Sequence, residues 1–160
     1  MIFYFSATGN SKYVASKIRH SDEEMVPIAD AVKQGNYRYK IADGKLGIVS
    51  PTYDWTLPSI VSEFLEKLEI SCSEKPYAYY VGTYGTTTGA AAAMADRLMK
   101  AKGLSFDAMF DVKMPDTWTP IFDLSDPAHV EEINKNAERE INELKDQINQ
   151  QVRGKHMGLT

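Results

Sequence analysis

Cysteine is nearly absent from this chain. Cys72 stands alone among 160 residues, which excludes an internal disulfide and any four-cysteine zinc or iron–sulfur site built from one chain. Histidine is almost as scarce, and His20, His129 and His156 lie far apart, so no metal-ligand spacing is present. Long apolar runs are missing too: none approaches the roughly 20 residues of a spanning helix. Met1 to Phe5 is too short for a signal-peptide core and lacks a basic leader. The expectation is a cytoplasmic protein with no membrane span. Basic residues interleaved with aromatics are also lacking, and the formal net charge is −4. Nucleic acid is therefore a poor partner, and a small molecule or a basic protein suits the chain better.

What is present is an ordinary globular composition, 43% hydrophobic and 25% charged, in a length that suits one domain. Strand and helix signals alternate from end to end. "IFYF" reads as a buried strand, and Val14, Ala15 and Ile18 mark the inner face of the helix after it. "EMVPIAD" reads as an edge strand weakened by Pro27, and "LGIVSP" as a strand stopped by proline. Ile60, Val61, Phe64, Leu65 and Leu68 then fall at helical spacing. "YAYYVGTYG" is the next strand, and Ala91, Met94, Ala95 and Leu98 share one helical face. "FDAMFDVKM" alternates as a strand at the other edge, and Val130 to Ile148 forms a long amphipathic helix. Five strands and four clear helices in succession predict an α/β fold, a three-layer doubly wound sandwich around a five-stranded parallel sheet. Residues 1–153 make up the domain, and 154–160, without periodicity, read as a mobile tail.

In such a sheet ligands bind beyond the carboxyl ends of the strands, so three loops draw the functional reading. "SATGNS" follows the first strand and opens a helix, where backbone N–H groups and the positive helix end suit a phosphate. Ser6, Thr8 and Ser11 add hydroxyl donors, and Gly9 permits a turn. The lysine of a Walker loop and the glycine triplet of a dinucleotide site are both missing, which disfavours a nucleoside triphosphate or NAD. The competing reading is that Ser, Thr and Asn merely cap the helix. "PTYDWTLP" presents Tyr53 and Trp55, flat side chains suited to an aromatic ligand or to covering the core. "GTYGTTTG" offers Gly82, Gly85 and Gly89 around Tyr84, letting main-chain N–H groups approach a planar ligand.

Taken together, "FSATGNS", "PTYDWTLP" and "TYGTTTG" resemble the phosphate loop and the two ring-flanking loops of the flavodoxin family. The closest likeness is to flavodoxin-like domains fused to a ferredoxin segment in anaerobic microbes, in which an "MP" and an aromatic-bearing loop end the fifth strand. "MPDTWTPIF" is similar, and the ferredoxin cysteines are absent. The resemblance implies strand order 2-1-3-4-5 and noncovalent FMN. Its phosphate would lie at Ser6, Ala7, Thr8, Gly9, Asn10 and Ser11. Pro51, Thr52, Tyr53, Asp54 and Trp55 would stand on one side of the ring, and Thr83, Tyr84, Gly85 and Gly89 on the other, with Trp118 an outside candidate. The fourth-strand loop lacks the acidic residues common near the flavin in this family, so less penalty on an anionic reduced flavin is expected.

The leading expectation is an electron-transfer protein, with the flavin doing the chemistry and redox proteins, ferredoxin-type or flavin reductases, as partners. An FMN-dependent NAD(P)H or quinone oxidoreductase is the alternative, with Asp54, Asp116 or His129 assisting. A cofactor-free interaction module is the third.

Overall fold

The computed structural model describes residues 1–116 and 125–158. The buried run Ile2–Tyr4 forms β1, followed by α1 (Asn10–Ile18), β2 (Met25–Pro27) and α2 (Ile28–Gln34). Next come β3 (Arg38–Lys40), β4 (Lys45–Pro51), α3 (Ser59–Lys67), β5 (Glu69–Ser71), β6 (Tyr77–Tyr84) and α4 (Ala91–Lys100). The chain continues through β7 (Ala108–Lys113), α5 (Pro127–Asn149) and β8 (Gly154–His156).

The main sheet is parallel throughout, with order β2-β1-β4-β6-β7-β8. Its first five strands reproduce the expected 2-1-3-4-5 order, but the sheet has six strands where five were expected. The sixth, β8, comes from the segment expected to be a loose tail, and it displaces β7 from the edge. Sequence pattern misses it because all three residues of β8 are exposed, so no alternation marks it. What holds it is polar: Arg153 pairs with Asp107, Gly154 N–H donates to the Asp107 carbonyl at 2.9 Å, and the Tyr77 hydroxyl donates to Val152 O at 2.6 Å. β3 and β5, likewise three residues each, pair in a separate two-stranded sheet. "EMVPIAD" splits after Pro27, and its second half begins α2, a fifth helix.

Alternation along the central strands supplies two cores. Phe3, Ile48 and Tyr80 face one side with Val61, Phe64 and Ala95 of α3 and α4. Ile2, Val49, Tyr79, Val81 and Phe110 face the other with Val14 of α1 and Ile141 and Leu144 of α5. Fully burying each such side chain contributes about 1.5–3 kcal/mol. The packing is close enough to dictate residue type: a Cβ at Gly47 would stand 2.5 Å from the Tyr79 ring and hydroxyl. α5 starts at Asp126, whose carboxylate accepts from the Ala128 and His129 N–H groups at 3.0 and 3.4 Å, with Pro127 in the first turn. Its buried stripe begins only at Ala137. Among the described residues, no helix is long and apolar enough to cross a membrane.

Candidate functional site

The loops leaving β1, β4, β6 and β7 enclose a cleft of about 530 Å³, a volume suited to a small organic ligand. The structure brings together Ser6, Ala7, Thr8, Asn10 and Ser11 from the first loop and Pro51, Thr52, Tyr53 and Asp54 from the second. Thr83, Tyr84 and Gly85 join them from the third. Gly9, Trp55 and Gly89 are not on the lining. Trp118 lies outside the described residues. Met114, Pro115 and Asp116, reached at the end of β7, complete the wall. The sequence marks this stretch by its family likeness and by Asp116 as an assisting carboxylate of the alternative; a proline closing a strand at the same sheet edge as the other loops is a further signal that places all three residues at the cleft.

Helix capping does not explain "SATGNS". The N-cap of α1 is Gly9, at φ 104°, and no side chain caps the helix. The residues able to do so are directed elsewhere. Asn10 Nδ2 donates to Pro115 O at 3.1 Å, and the Ser11 hydroxyl meets that of Thr83 at 2.7 Å in a buried contact. Ser6 Oγ accepts from Gly9 N–H at 3.1 Å, which orients the hydroxyl and leaves its own proton to donate. The helix therefore begins at the cleft with its positive end uncovered by any side-chain cap.

The second and third loops are locked to each other. Tyr53 and Thr56 exchange N–H···O bonds of 3.0 and 2.8 Å across a two-residue turn. Asp54 and Trp55 both have positive φ there, 46° and 60°, a conformation that costs a side-chain-bearing residue roughly 1–2 kcal/mol. The Trp55 carbonyl accepts from Ala90 N–H at 2.7 Å, and the Thr52 hydroxyl donates to Thr88 O at 3.3 Å. Gly89 lies directly beneath, where a Cβ would come within 2.2 Å of the Trp55 carbonyl oxygen. The Trp55 main chain thus caps α4 across the gap, and the residue is left 66% exposed. Tyr53 packs edge-on to Phe5, ring centroids 6.1 Å apart, and partial burial pushes its phenol up.

At the β7 end, Asp116 lies against Gly85 so closely that a Cβ there would sit 2.1 Å from Asp116 Oδ2. Among the described residues, the lining has the carboxylates of Asp54 and Asp116 and no lysine or arginine. An anionic group held here is held by main-chain dipoles and hydroxyls. The Tyr84 phenol is raised by burial, then by the Asp111 and Glu140 carboxylates. His129 is exposed on the first turn of α5.

A family model of the flavodoxin domain matches residues 1–143. The chain belongs to the flavodoxin domain family. Solved structures share its fold at low identity. The two-electron reduced flavodoxin of Megasphaera elsdenii is 18% identical, with a TM-score of 0.51, over 70% of this chain and 85% of that one. Azoreductase from Bacillus anthracis str. Sterne is 10% identical, with a TM-score of 0.53, over 91% and 98%. Rubredoxin oxygen:oxidoreductase from the anaerobe Desulfovibrio gigas is 16% identical, with a TM-score of 0.51; 92% of this chain corresponds to 36% of that one. The chain thus spans about a third of that larger protein. No curated protein matches the sequence. Within this flavodoxin domain, the cleft lies where the doubly wound rule puts a ligand, at the carboxyl ends of β1, β4 and β6.

Proposed function

We propose that this flavodoxin domain binds FMN noncovalently in the cleft and carries electrons between redox partner proteins. The observation that carries the reading is the start of α1: a positive helix end without a side-chain cap, beside a Ser6 hydroxyl oriented by Gly9 N–H. A donor set that, among the described residues, consists of dipoles and hydroxyls without cations suits one monophosphate better than a di- or triphosphate. Ser6, Thr8 and the first N–H groups of α1 hold the phosphate. Thr52 and Tyr53 stand on one side of the ring, Thr83 to Gly85 on the other, with Asp116 at its edge. FMN supplies reversible electron uptake, and the protein tunes it.

Asp54 and Asp116 offset the missing carboxylates of the fourth-strand loop. Carboxylates near the ring oppose each added electron, which favours a low-potential carrier over a high-potential one. The partners are redox proteins such as ferredoxin-type proteins or flavin reductases, docking at the exposed mouth.

Titration of the purified protein with FMN, followed by stepwise anaerobic reduction in the spectrophotometer, tests the proposal. A protein that stays colourless after incubation with FMN would refute it and leave the interaction module. Fast direct bleaching of the bound flavin by NAD(P)H, with turnover on a quinone, would replace the carrier by an oxidoreductase.

A further inference from the structure

Of the C-terminal segment expected as a loose tail, the described part to residue 158 is fastened to the sheet. Val152 O accepts from the Tyr77 hydroxyl, Arg153 pairs with Asp107, and β8 ladders onto β7 from Ala108 to Phe110. His156 stacks on Phe110, centroids 5.3 Å apart and planes 14° from parallel. Because β8 is parallel to β7, the chain then runs toward the carboxyl end of the sheet, where the cleft lies. Gly158 N–H donates to Asp111 Oδ2 at 2.8 Å. A methyl group on Gly158 would stand 3.6 Å from that oxygen and 3.9 Å from the hydroxyl of Tyr84, a residue of the cleft wall. Asp111 pairs with Gly82 in the β6–β7 register, so no side chain on β6 intervenes at that position.

We propose that the docked C-terminal segment is a working part of the cleft: Gly158 holds the Asp111 carboxylate beside the Tyr84 hydroxyl, and Asp111 thereby acts as a positioning residue for Tyr84. Sealing a sheet edge alone would need only the ladder and the Arg153–Asp107 pair. The hydrogen bond from Gly158 reaches two residues beyond the ladder, to the height of the cleft wall. Docking of residues 152–158 and ligand binding then stabilise each other, and by linkage each strengthens the other by the same factor.

The inference rests on the FMN reading. The first measurement is therefore the affinity of the wild-type protein for FMN by fluorescence quenching. Gly158→Pro removes the N–H donor and leaves β8 untouched. It is expected to weaken FMN binding by about 5-fold or more, the lower end of ordinary site-to-site coupling. Asp111→Ala should do the same, and the two together no worse than either. In the wild-type protein, saturating FMN should slow amide hydrogen exchange across residues 152–158 by a similar factor, a readout that mere edge sealing would not move and that needs no variant to fold. Failure of the wild type to bind FMN would overturn the reading of the cleft, and this inference with it. Wild-type binding with unchanged affinity in Gly158→Pro, or with exchange in 152–158 indifferent to FMN, would overturn the inference alone.

Discussion

Substituting alanine for Gly89 tests whether the second and third loops are one unit. Two costs are built into the position. Gly89 sits at φ 53°, where a residue with a Cβ is destabilised by about 1–2 kcal/mol. The new Cβ also falls 2.2 Å from the Trp55 carbonyl oxygen, so that carbonyl must retreat and surrender its 2.7 Å bond from Ala90 N–H, a net loss of about 0.5–1.5 kcal/mol. Together they predict a loss of about 1.5–3.5 kcal/mol in urea unfolding, a large share of a typical domain's 5–15 kcal/mol. Gly35→Ala is the control. Its φ is 65° with nothing within 4 Å of the added Cβ, so it should show the conformational cost alone, about 1–2 kcal/mol. Equal losses at the two positions would refute the coupling of the loops. The expected excess at Gly89 should come with weakened FMN binding, which Gly35→Ala should leave intact.

Thr8→Glu puts a carboxylate where the phosphate is proposed to sit and should abolish FMN quenching; unchanged affinity would end the phosphate assignment. Thr83→Val keeps the shape but takes away the hydroxyl that the buried Ser11 hydroxyl meets at 2.7 Å, and should cost about 1–3 kcal/mol in urea unfolding. Gly47→Ala drives a methyl into the Tyr79 phenol and should destabilise by about 1–3 kcal/mol, read as a lowered Tm. Burial pushes the Asp111 carboxyl up while the Gly158 N–H pulls it down, and the net direction is upward. Stability held by this group is therefore full below the unfolded carboxyl's pKa of about 3.9 and declines as pH rises through the elevated folded value. Relative to Asp111→Asn, the wild type should lose stability as pH rises above 4 in denaturant titrations; a relative gain would refute the burial argument.

Much of the layered fold is legible in the sequence because its central strands and its longer helices bury one face each. Ile2, Ile48, Val81 and Phe110 carry a period of two, and Ala137, Ile141, Leu144 and Ile148 a helical one. β3, β5 and β8 escape for the same reason in reverse. Three residues with exposed flanks bury too little to leave a pattern, and β8 is held by Arg153, Tyr77 and main-chain bonds that reach across the chain. Asp116 joins the cleft only through tertiary placement, set by the β6–β7 register and the Asn10–Pro115 bond.

The motif in the first loop is defined by the kinds of groups it contains, and several of those groups are occupied within the protein. Asn10 spends its amide on Pro115 and Ser11 its hydroxyl contact on Thr83; across the mouth, Thr52 is bonded to Thr88 and the Trp55 carbonyl to Ala90. Side chains that a motif scan would assign to the ligand instead join the four loops into one frame. In the proposed reading, recognition falls to what the frame leaves over: the N–H groups at the start of α1, the hydroxyls of Ser6 and Thr8 and the glycine backbone at Gly85. A site made this way is intolerant of added volume at Gly85 and Gly89, where the frame closes to 2.1 and 2.2 Å of a Cβ.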